Sequence, residues 1–249
     1  MFRPLSVHLF PPGPELDSMR GCVCVVIDLL RASTTITRAL SVGAARVIPC
    51  ADPEAALRIR ESLPPGTCLL GGERGGVRIP GFDLGNSPAE YSAARVAGRA
   101  IAFTTSNGTR AVEVARRSGA ARILVGCLNN RRAVADALAR EDRPICLLCA
   151  GTNGRLSLDD VLAAGAIVDR MCTGGLSAFS DDTPRLCRDL WRHAVSAADG
   201  LASSLAESSG GRGLTAIGFA DDVRSCAEID TCSIVPEFDC VQAAFVLER

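Results

Sequence analysis

Three apolar segments of the chain each lead into a short polar loop, and a helical pattern follows each loop. The three junctions read VCVVIDLLRASTTITRAL, AIAFTTSNGTRAVEVA and ICLLCAGTNGRLSLDDVLAAG. Each apolar run has the length of a buried parallel strand, and the Ser, Thr, Asn and Gly residues of the loops are typical of helix starts. The amide groups at such helix starts point towards one place and bind anions. Three such junctions indicate a ligand with more than one negative group.

An internal repeat extends this pattern. The segment GAARVIPC at residues 43–50 recurs as GAARILVGC at residues 119–127. Each copy follows a helix that begins at one of the polar loops, and each precedes an alanine-rich helical stretch. The order of strand, loop, helix, strand and helix favours a parallel or mixed sheet. The sequence therefore predicts an α/β fold, a layered parallel or mixed sheet with helices on both faces, built from repeated strand–loop–helix units.

The 249 residues are predicted to form a single α/β domain, spanning 1–249, with residues 176–249 as a helical cover and closing strand. Before that segment, a glycine- and proline-rich loop ends at a predicted capping box, with Ser87 as the N-cap, Pro88 in the first turn and Glu90 as the partner. Within the cover, six apolar residues recur at helical spacing and are expected to pack into the core. They are Leu186, Leu190, Ala194, Ala197, Leu201 and Leu205.

Composition excludes several classes of partner. The formal net charge is −1, so no basic field favours nucleic acid or an anionic membrane surface. No apolar run reaches the length of a membrane span, and the first residues lack the pattern of a secretory signal. We therefore expect a cytoplasmic protein that acts on a small molecule. The alanine-rich helices are compatible with a homo-oligomer.

Composition also limits the chemistry. All 27 basic residues are arginines, which excludes a P-loop lysine and a Schiff-base lysine. The two histidines, His8 and His193, are too few for a histidine-rich metal site. The 12 cysteines are scattered, often within apolar runs, and none has zinc-finger spacing. They are expected to be buried reduced thiols.

Four carboxylates lie at the predicted strand ends and helix starts. Asp28 ends the first apolar strand, Glu73 follows the apolar stretch CLLGG, and Asp159 and Asp160 begin the helix after the third loop. Mg²⁺ takes one or two carboxylates and keeps water and substrate oxygens as its other ligands, so these four are the predicted metal ligands. The alternative for Asp159 and Asp160 is compensation of the helix dipole, and for Asp28 a salt bridge with Arg31.

The polar loops also supply candidate ligands for anions. Arg31, Arg110 and Arg155 each lie in or just beyond one loop, and guanidinium groups match phosphate or sulfonate oxygens. The sequence leaves open whether the loop amides and hydroxyls contact the ligand or cap their helices. The predicted substrate-binding residues are Ser33, Thr34, Asn86, Ser87, Asn107, Gly108, Thr109, Arg110, Asn153 and Arg155.

Four motifs occur in the order VVIDLLRASTT, GFDLGNSPAEY, TTSNGTRA and CAGTNGRLSLDD. Together they resemble the 2-phosphosulfolactate phosphatases, strongly over residues 5–175 and more loosely over the tail. The resemblance implies an α/β, Mg²⁺-dependent enzyme that hydrolyses the phosphate ester of 2-phospho-3-sulfolactate in coenzyme M synthesis. The third motif departs slightly from the more frequent TTNGTRA but keeps the Asn-Gly-Thr centre.

A mechanism follows as a hypothesis, with Asp28, Arg31, Glu73 and Asp160 as the predicted catalytic residues. Asp28 and Glu73 hold Mg²⁺ together with Asp160 or Asp159, directly or through water. The cation and the arginines offset charge in the transition state, while a carboxylate orients the attacking water. The residues leave open direct attack by water or an aspartyl-phosphate at Asp28, and which loop receives phosphate or sulfonate.

Two alternatives use the same residues. Cys149 and Arg155 form a C-x5-R pattern between a strand and a helix, which is the arrangement of cysteine-dependent phosphatases. The other alternative is a non-catalytic protein that binds an anionic metabolite in the same loops. Carboxylates at two strand ends argue against simple anion binding unless a metal lies between them and the anion.

Overall fold

The computed structural model describes residues 4–11, 19–175 and 179–247. Within these residues the chain forms one mixed sheet with helices against it. The strands are β1 (Leu5–His8), β2 (Val23–Ile27), β3 (Arg46–Pro49), β4 (Cys68–Arg74), β5 (Val77–Arg78), β6 (Ala100–Thr104), β7 (Arg122–Val125), β8 (Ile145–Cys149), β9 (Pro236–Asp239) and β10 (Ala244–Leu247). The α-helices are α1 (Ala32–Ser41), α2 (Pro53–Ser62), α3 (Ala93–Val96), α4 (Gly108–Arg117), α5 (Arg131–Ala139), α6 (Leu158–Thr173), α7 (Thr183–Ser196), α8 (Gly200–Ala206), α9 (Ser209–Ala216) and α10 (Ala220–Cys226).

The three polar loops each connect a buried strand to a helix, as predicted: β2 to α1, β6 to α4 and β8 to α6. Every residue of these three strands is buried. Alternate side chains of β2 pack into one core with α5, α6 and α7 and into a second core with α1 and α4. Helices therefore lie on both faces of the sheet, and the predicted α/β fold is confirmed. In the described part of the chain, no helix is both long and apolar enough to span a membrane.

The strand order is β1-β8-β2-β7-β9-β10-β3-β6-β4-β5. Strands β1, β8, β2 and β7 are parallel to one another, and so are β3, β6 and β4. The hairpin of β9 and β10 lies between these two parallel groups and pairs antiparallel with β7 and β3. The two groups therefore run in opposite directions within one sheet.

The internal repeat of the sequence corresponds to a two-fold pattern in this sheet. The first unit is β2-α1-β3-α2-β4, and the second is β6-α4-β7-α5-β8. The equivalent strands are β2 and β6, β3 and β7, and β4 and β8. If each strand is exchanged for its equivalent, and β9 for β10, the eight central strands keep the same order when the sheet is read from its opposite edge. The loops that precede α1 and α4 therefore occupy equivalent positions.

The end of the chain differs from the prediction of a closing strand. It forms two strands, β9 and β10, and these lie at the centre of the sheet. Strand β9 has only four residues and begins at Pro236, so its apolar pattern is too short to identify in the sequence. Its position is determined by the free edges of β7 and β3, which are distant in sequence.

The predicted apolar stripe on the helical cover is partly wrong. Ala194 and Leu205 are buried, but the side chains of Leu186 and Leu190 are 54% and 37% exposed. The stripe assumed one continuous helix, whereas α7 ends at Ser196 and α8 begins at Gly200. The face of α7 towards the core instead carries Cys187 and Trp191, which pack beside a glycine of α6, Gly165.

A buried ion pair attaches this helical cover to the loops of the sheet. The Arg31 guanidinium donates to Asp222 of α10 at 2.5 Å and to the Gly76 carbonyl oxygen at 2.6 Å. The Ser87 hydroxyl donates to the other oxygen of Asp222 at 2.6 Å. The predicted capping box is therefore wrong: Ser87 precedes only a single 3₁₀ turn, and the Glu90 carboxylate accepts a hydrogen bond from the Gly85 amide instead.

The close crossing of α6 and α7 yields a stability prediction. A methyl group on Gly165 would overlap the carbonyl oxygen of Cys187, so Gly165→Ala should lower the free energy of unfolding by about 1–3 kcal/mol. The control is Gly213→Ala on α9, where a methyl group meets open space and helix propensity should add up to about 1 kcal/mol. Urea unfolding measures both. Equal effects of the two substitutions would contradict this account of the crossing.

The ion pair yields a second prediction. Asp222→Ala leaves the buried Arg31 charge without its carboxylate and should lower the free energy of unfolding by about 3–5 kcal/mol. The neighbouring carboxylate Asp221 is exposed, and Asp221→Ala should change the same quantity by less than about 0.5 kcal/mol. Urea unfolding of both variants is the measurement, and a small effect of Asp222→Ala would exclude a stabilising role for the pair.

Candidate active site

The loops after β2, β4, β6 and β8 meet at one place. The Ser106 amide donates to Glu73 at 2.9 Å, which joins the loops after β6 and β4. A longer bond from the Asn153 amide to Asn107 Oδ1, at 3.3 Å, joins the loops after β8 and β6.

Asp28 lies at the centre of this arrangement. It follows β2 directly, its amide donates to Ser33 Oγ at 2.8 Å, and its Oδ1 accepts from the Ala32 amide at 3.3 Å. Its Oδ2 has no hydrogen-bond partner among the described residues and faces α4, where a Cβ on Gly108 would lie 2.8 Å away. Burial, supported by the negative charges of Asp159 and Glu73, raises the pKa of Asp28 to about 7 against the opposing effect of the Ala32 amide.

Glu73 is held by two backbone amides. Its Oε2 accepts from the Gly76 amide at 2.7 Å, and its Oε1 accepts from the Ser106 amide. The side chain is only 7% exposed and lies near the end of β4. Glu73 therefore joins two loops besides supplying a negative charge beside Asp28.

Asp160 lies in α6 and makes a comparable connection between two loops in the other half of the sheet. Its two oxygens accept from the Leu29 amide at 2.8 Å and from the Gly151 amide at 2.9 Å, which joins the loops after β2 and β8. Burial, together with the charges of Asp159 and Asp28, raises the pKa of Asp160 well above its usual range. These contacts extend beyond compensation of the helix dipole.

Asp159 faces the helical cover. Its Oδ1 accepts from the Ser157 hydroxyl at 2.6 Å and lies beside the first turn of α9, where a Cβ on Gly210 would be 3.2 Å away. Burial raises the pKa of Asp159, and hydrogen bonds from Ser157 and Ser208 oppose this shift. The carboxylate therefore links α9 to the loop before α6.

Several predicted substrate-binding side chains are occupied by contacts within the protein. The Thr34 hydroxyl donates to the Leu29 carbonyl oxygen at 3.1 Å, and the Thr109 hydroxyl donates to the Thr105 carbonyl oxygen at 3.0 Å. Three more of these side chains are bonded within the protein: Ser33 accepts from the Asp28 amide, Ser87 donates to Asp222, and Asn107 accepts from the Asn153 amide. Asn107 begins α4 without a side-chain cap, and Asn153 has a positive φ of 53° in a tight turn.

Three arginines of the loops differ in their surroundings. Arg31 is buried, with its guanidinium group paired to Asp222 and stacked 4.4 Å from the centre of the Phe219 ring. Arg110 and Arg155 are exposed, and neither guanidinium group has a partner among the described residues. Only the latter two are free to receive an anion without breaking a contact.

The donor atoms fit a hard divalent cation. Among the described residues, no three carboxylate, imidazole or thiol groups lie close enough together to hold a metal ion by themselves. Mg²⁺ needs only one or two carboxylates, since water and substrate oxygens complete its shell. Asp28 Oδ2 is available, and two other buried oxygens, Asn86 Oδ1 and Thr105 Oγ1, have no hydrogen-bond partner.

Two residues of this region were not among those predicted from the sequence. Thr105 is 4% exposed and lies beside Asp28, but a threonine at the end of an apolar strand has no distinctive pattern. Asp222 lies in a helix far along the chain, and only the fold brings it to Arg31. Asn86, by contrast, was identified from its position in the loop before the capping residue.

Cys149 is not placed for nucleophilic attack. Its side chain is completely buried in the core against α6. Burial, together with the charge of Asp160, raises the pKa of the Cys149 thiol well above its usual range. A cysteine-dependent phosphatase needs an accessible thiolate, so the structure does not support that alternative. Eight other cysteines are buried free thiols, as expected.

Comparison with known proteins agrees with the four motifs. The family model described as 2-phosphosulpholactate phosphatase matches residues 10–240. A relative from Symbiobacterium thermophilum is 43% identical over 226 residues, which cover 90% of this chain and 94% of the relative. A relative from Deinococcus radiodurans is 40% identical, covering 93% and 92% of the two chains. Both are named probable 2-phosphosulfolactate phosphatases.

A third relative, from Caldanaerobacter subterraneus, carries the same name and is 38% identical over 86% of each chain. The family match extends beyond the four motifs through the helical cover to the end of β9. The chain therefore belongs to the 2-phosphosulpholactate phosphatase family and is a phosphoric monoester hydrolase.

Proposed function

We propose that the chain hydrolyses 2-phospho-3-sulfolactate, or a similar small phosphorylated hydroxy acid, to sulfolactate and phosphate with Mg²⁺ as cofactor, as a step of coenzyme M synthesis. The observation that carries this proposal is the position of Asp28, whose free carboxylate oxygen faces the start of α4 where four loops meet. The family supports the reaction class and the substrate. A cytoplasmic location and a homo-oligomer stay predictions.

Asp28 would hold the cation, with Glu73 or Asp160 supporting it directly or through water. Bound there, Mg²⁺ would offset the negative charge that builds on the phosphoryl oxygens. Burial and, to a smaller extent, the charges of Asp159 and Glu73 raise the pKa of Asp28, and a cation bound beside these carboxylates would offset both effects. Asp159 would contribute chiefly through its charge, because Ser157 and Ser208 already donate hydrogen bonds to it.

The substrate carries several anionic groups, and the loops offer several anion-binding features. The first amide groups of α4, on Gly108 and Thr109, have no hydrogen-bond partner among the described residues. Arg110 and Arg155 extend from the same loops with free guanidinium groups. These donors would orient the phosphate, sulfonate and carboxylate groups, while Arg31 maintains the positions of the loops through its buried contacts.

The chemistry at Asp28 can be tested against the thiolate alternative. Treatment with EDTA should abolish phosphate release, and added Mg²⁺ should restore it. Asp28→Asn keeps the side-chain shape but removes the charge, so kcat should fall by about 10²-fold or more. Cys149→Ala should retain kcat. Phosphate release from phosphosulfolactate is the measurement, and activity that resists EDTA but disappears in Cys149→Ala would overturn the proposal.

Substrate recognition by the free arginines is testable separately. Arg110→Gln and Arg155→Gln should each raise KM for phosphosulfolactate by about 10- to 100-fold, the cost of a hydrogen bond to a charged group. The effect should be smaller for a phosphomonoester without sulfonate or carboxylate groups. Arg117→Gln, at the far end of α4, is the control and should leave KM unchanged. If KM rose equally for both substrates, the two arginines would contact only the phosphate group, which both substrates carry.

A further inference from the structure

Thr105 has a buried hydroxyl group that the fold leaves without a partner. The residue is 4% exposed, and its Oγ1 makes no hydrogen bond, whereas its carbonyl oxygen accepts from Thr109. A buried hydroxyl without a partner costs free energy, and such a group is normally satisfied by protein or by ordered water. Its position beside Asp28 therefore calls for a partner other than the described protein atoms.

Asp28 and Thr105 occupy equivalent positions in the repeated units. Each is the first residue after its strand, β2 or β6, and each lies just before the helix of its unit. The absence of a side chain at Gly108 leaves them close together. A Cβ at that position would lie 2.8 Å from Asp28 Oδ2 and 3.2 Å from Thr105 Oγ1. The two oxygens are therefore no more than about 6 Å apart, without a direct hydrogen bond.

A small cavity adjoins both residues. Its volume is about 10 Å³, close to the minimum that holds one water molecule. Asp28, Ser33, Thr105 and Thr109 border this cavity, but nearly all of its surface is apolar, so a water molecule would have to lie at its edge, between Asp28 Oδ2 and Thr105 Oγ1. The hydroxyls of Ser33 and Thr109 donate to backbone carbonyls, so Asp28 Oδ2 and Thr105 Oγ1 retain the most hydrogen-bonding capacity. One water at ordinary hydrogen-bond lengths spans oxygens about 4.5–5.5 Å apart.

We propose that Thr105 is a positioning residue that holds the Asp28 carboxylate through a single buried water molecule. The water donates a hydrogen bond to Asp28 Oδ2 and accepts one from the Thr105 hydroxyl, so that this hydroxyl is paired. Residues that orient a metal-binding carboxylate in this way change metal affinity or activity by about 10- to 100-fold when they are removed. The role of Asp28 rests on the proposed function, but the water site does not.

The test uses Thr105→Val, which keeps the side-chain shape and removes the hydroxyl. A crystal structure at atomic resolution should show the water in the wild type and not in the variant. Isothermal titration with Mg²⁺ alone should give a Kd about 10- to 100-fold higher for Thr105→Val. The Tm should change little, because valine keeps the side-chain shape and Thr105 Oγ1 makes no direct hydrogen bond to the described residues. A purely structural role for the hydroxyl would instead lower Tm.

Two further variants complete the experiment. Thr105→Ser keeps the hydroxyl and should restore both the water and the Mg²⁺ affinity. Thr37→Val changes a buried threonine of α1 outside the cavity and should leave the Mg²⁺ affinity unchanged. A wild-type structure without the water, or unchanged Mg²⁺ affinity in Thr105→Val, would overturn the inference. A wild type that releases no phosphate from phosphosulfolactate would refute the proposed function alone, since the crystallographic result is independent of turnover.

Discussion

Buried carboxylates that accept backbone amides hold the loops of this enzyme together. Glu73 joins the loops after β4 and β6, and Asp160 joins those after β2 and β8. Because β2 and β8 correspond to β6 and β4 in the repeat, the two carboxylates make the same kind of connection in each half of the sheet. The remaining geometry around Asp28 depends on both. The carboxylates proposed to attract a cation are thus also the groups that fix the positions of the loops.

The parts of the fold encoded in neighbouring residues were predictable. The strand–loop–helix junctions at Asp28, Asn107 and Asn153 follow from short apolar runs and helix-starting residues. The internal repeat indicated equivalent units but not their opposite directions, because strand direction depends on pairing with β9 and β10. A four-residue strand that begins at Pro236 carries too little local pattern to reveal this pairing.

Contacts between distant segments account for what the sequence did not show. Arg31 was identified, but its partner Asp222 lies in a helix 191 positions away. The orphaned hydroxyl of Thr105 became visible only when its surroundings were known. The prediction of which face of α7 is buried was wrong. The close crossing of α6 and α7 at Gly165, rather than the spacing of the leucines, determines which face meets the core.

The central position of the last hairpin has a consequence for biosynthesis. Residues 236–247 are synthesised after all the strands that they separate, yet they lie between the two parallel groups. Until they arrive, β7 and β3 each present an unpaired edge that another chain can join. The nascent protein therefore has two strand edges that must be protected from other chains. A chain truncated before this hairpin would expose both edges and would be prone to aggregate rather than to fold as a shortened enzyme.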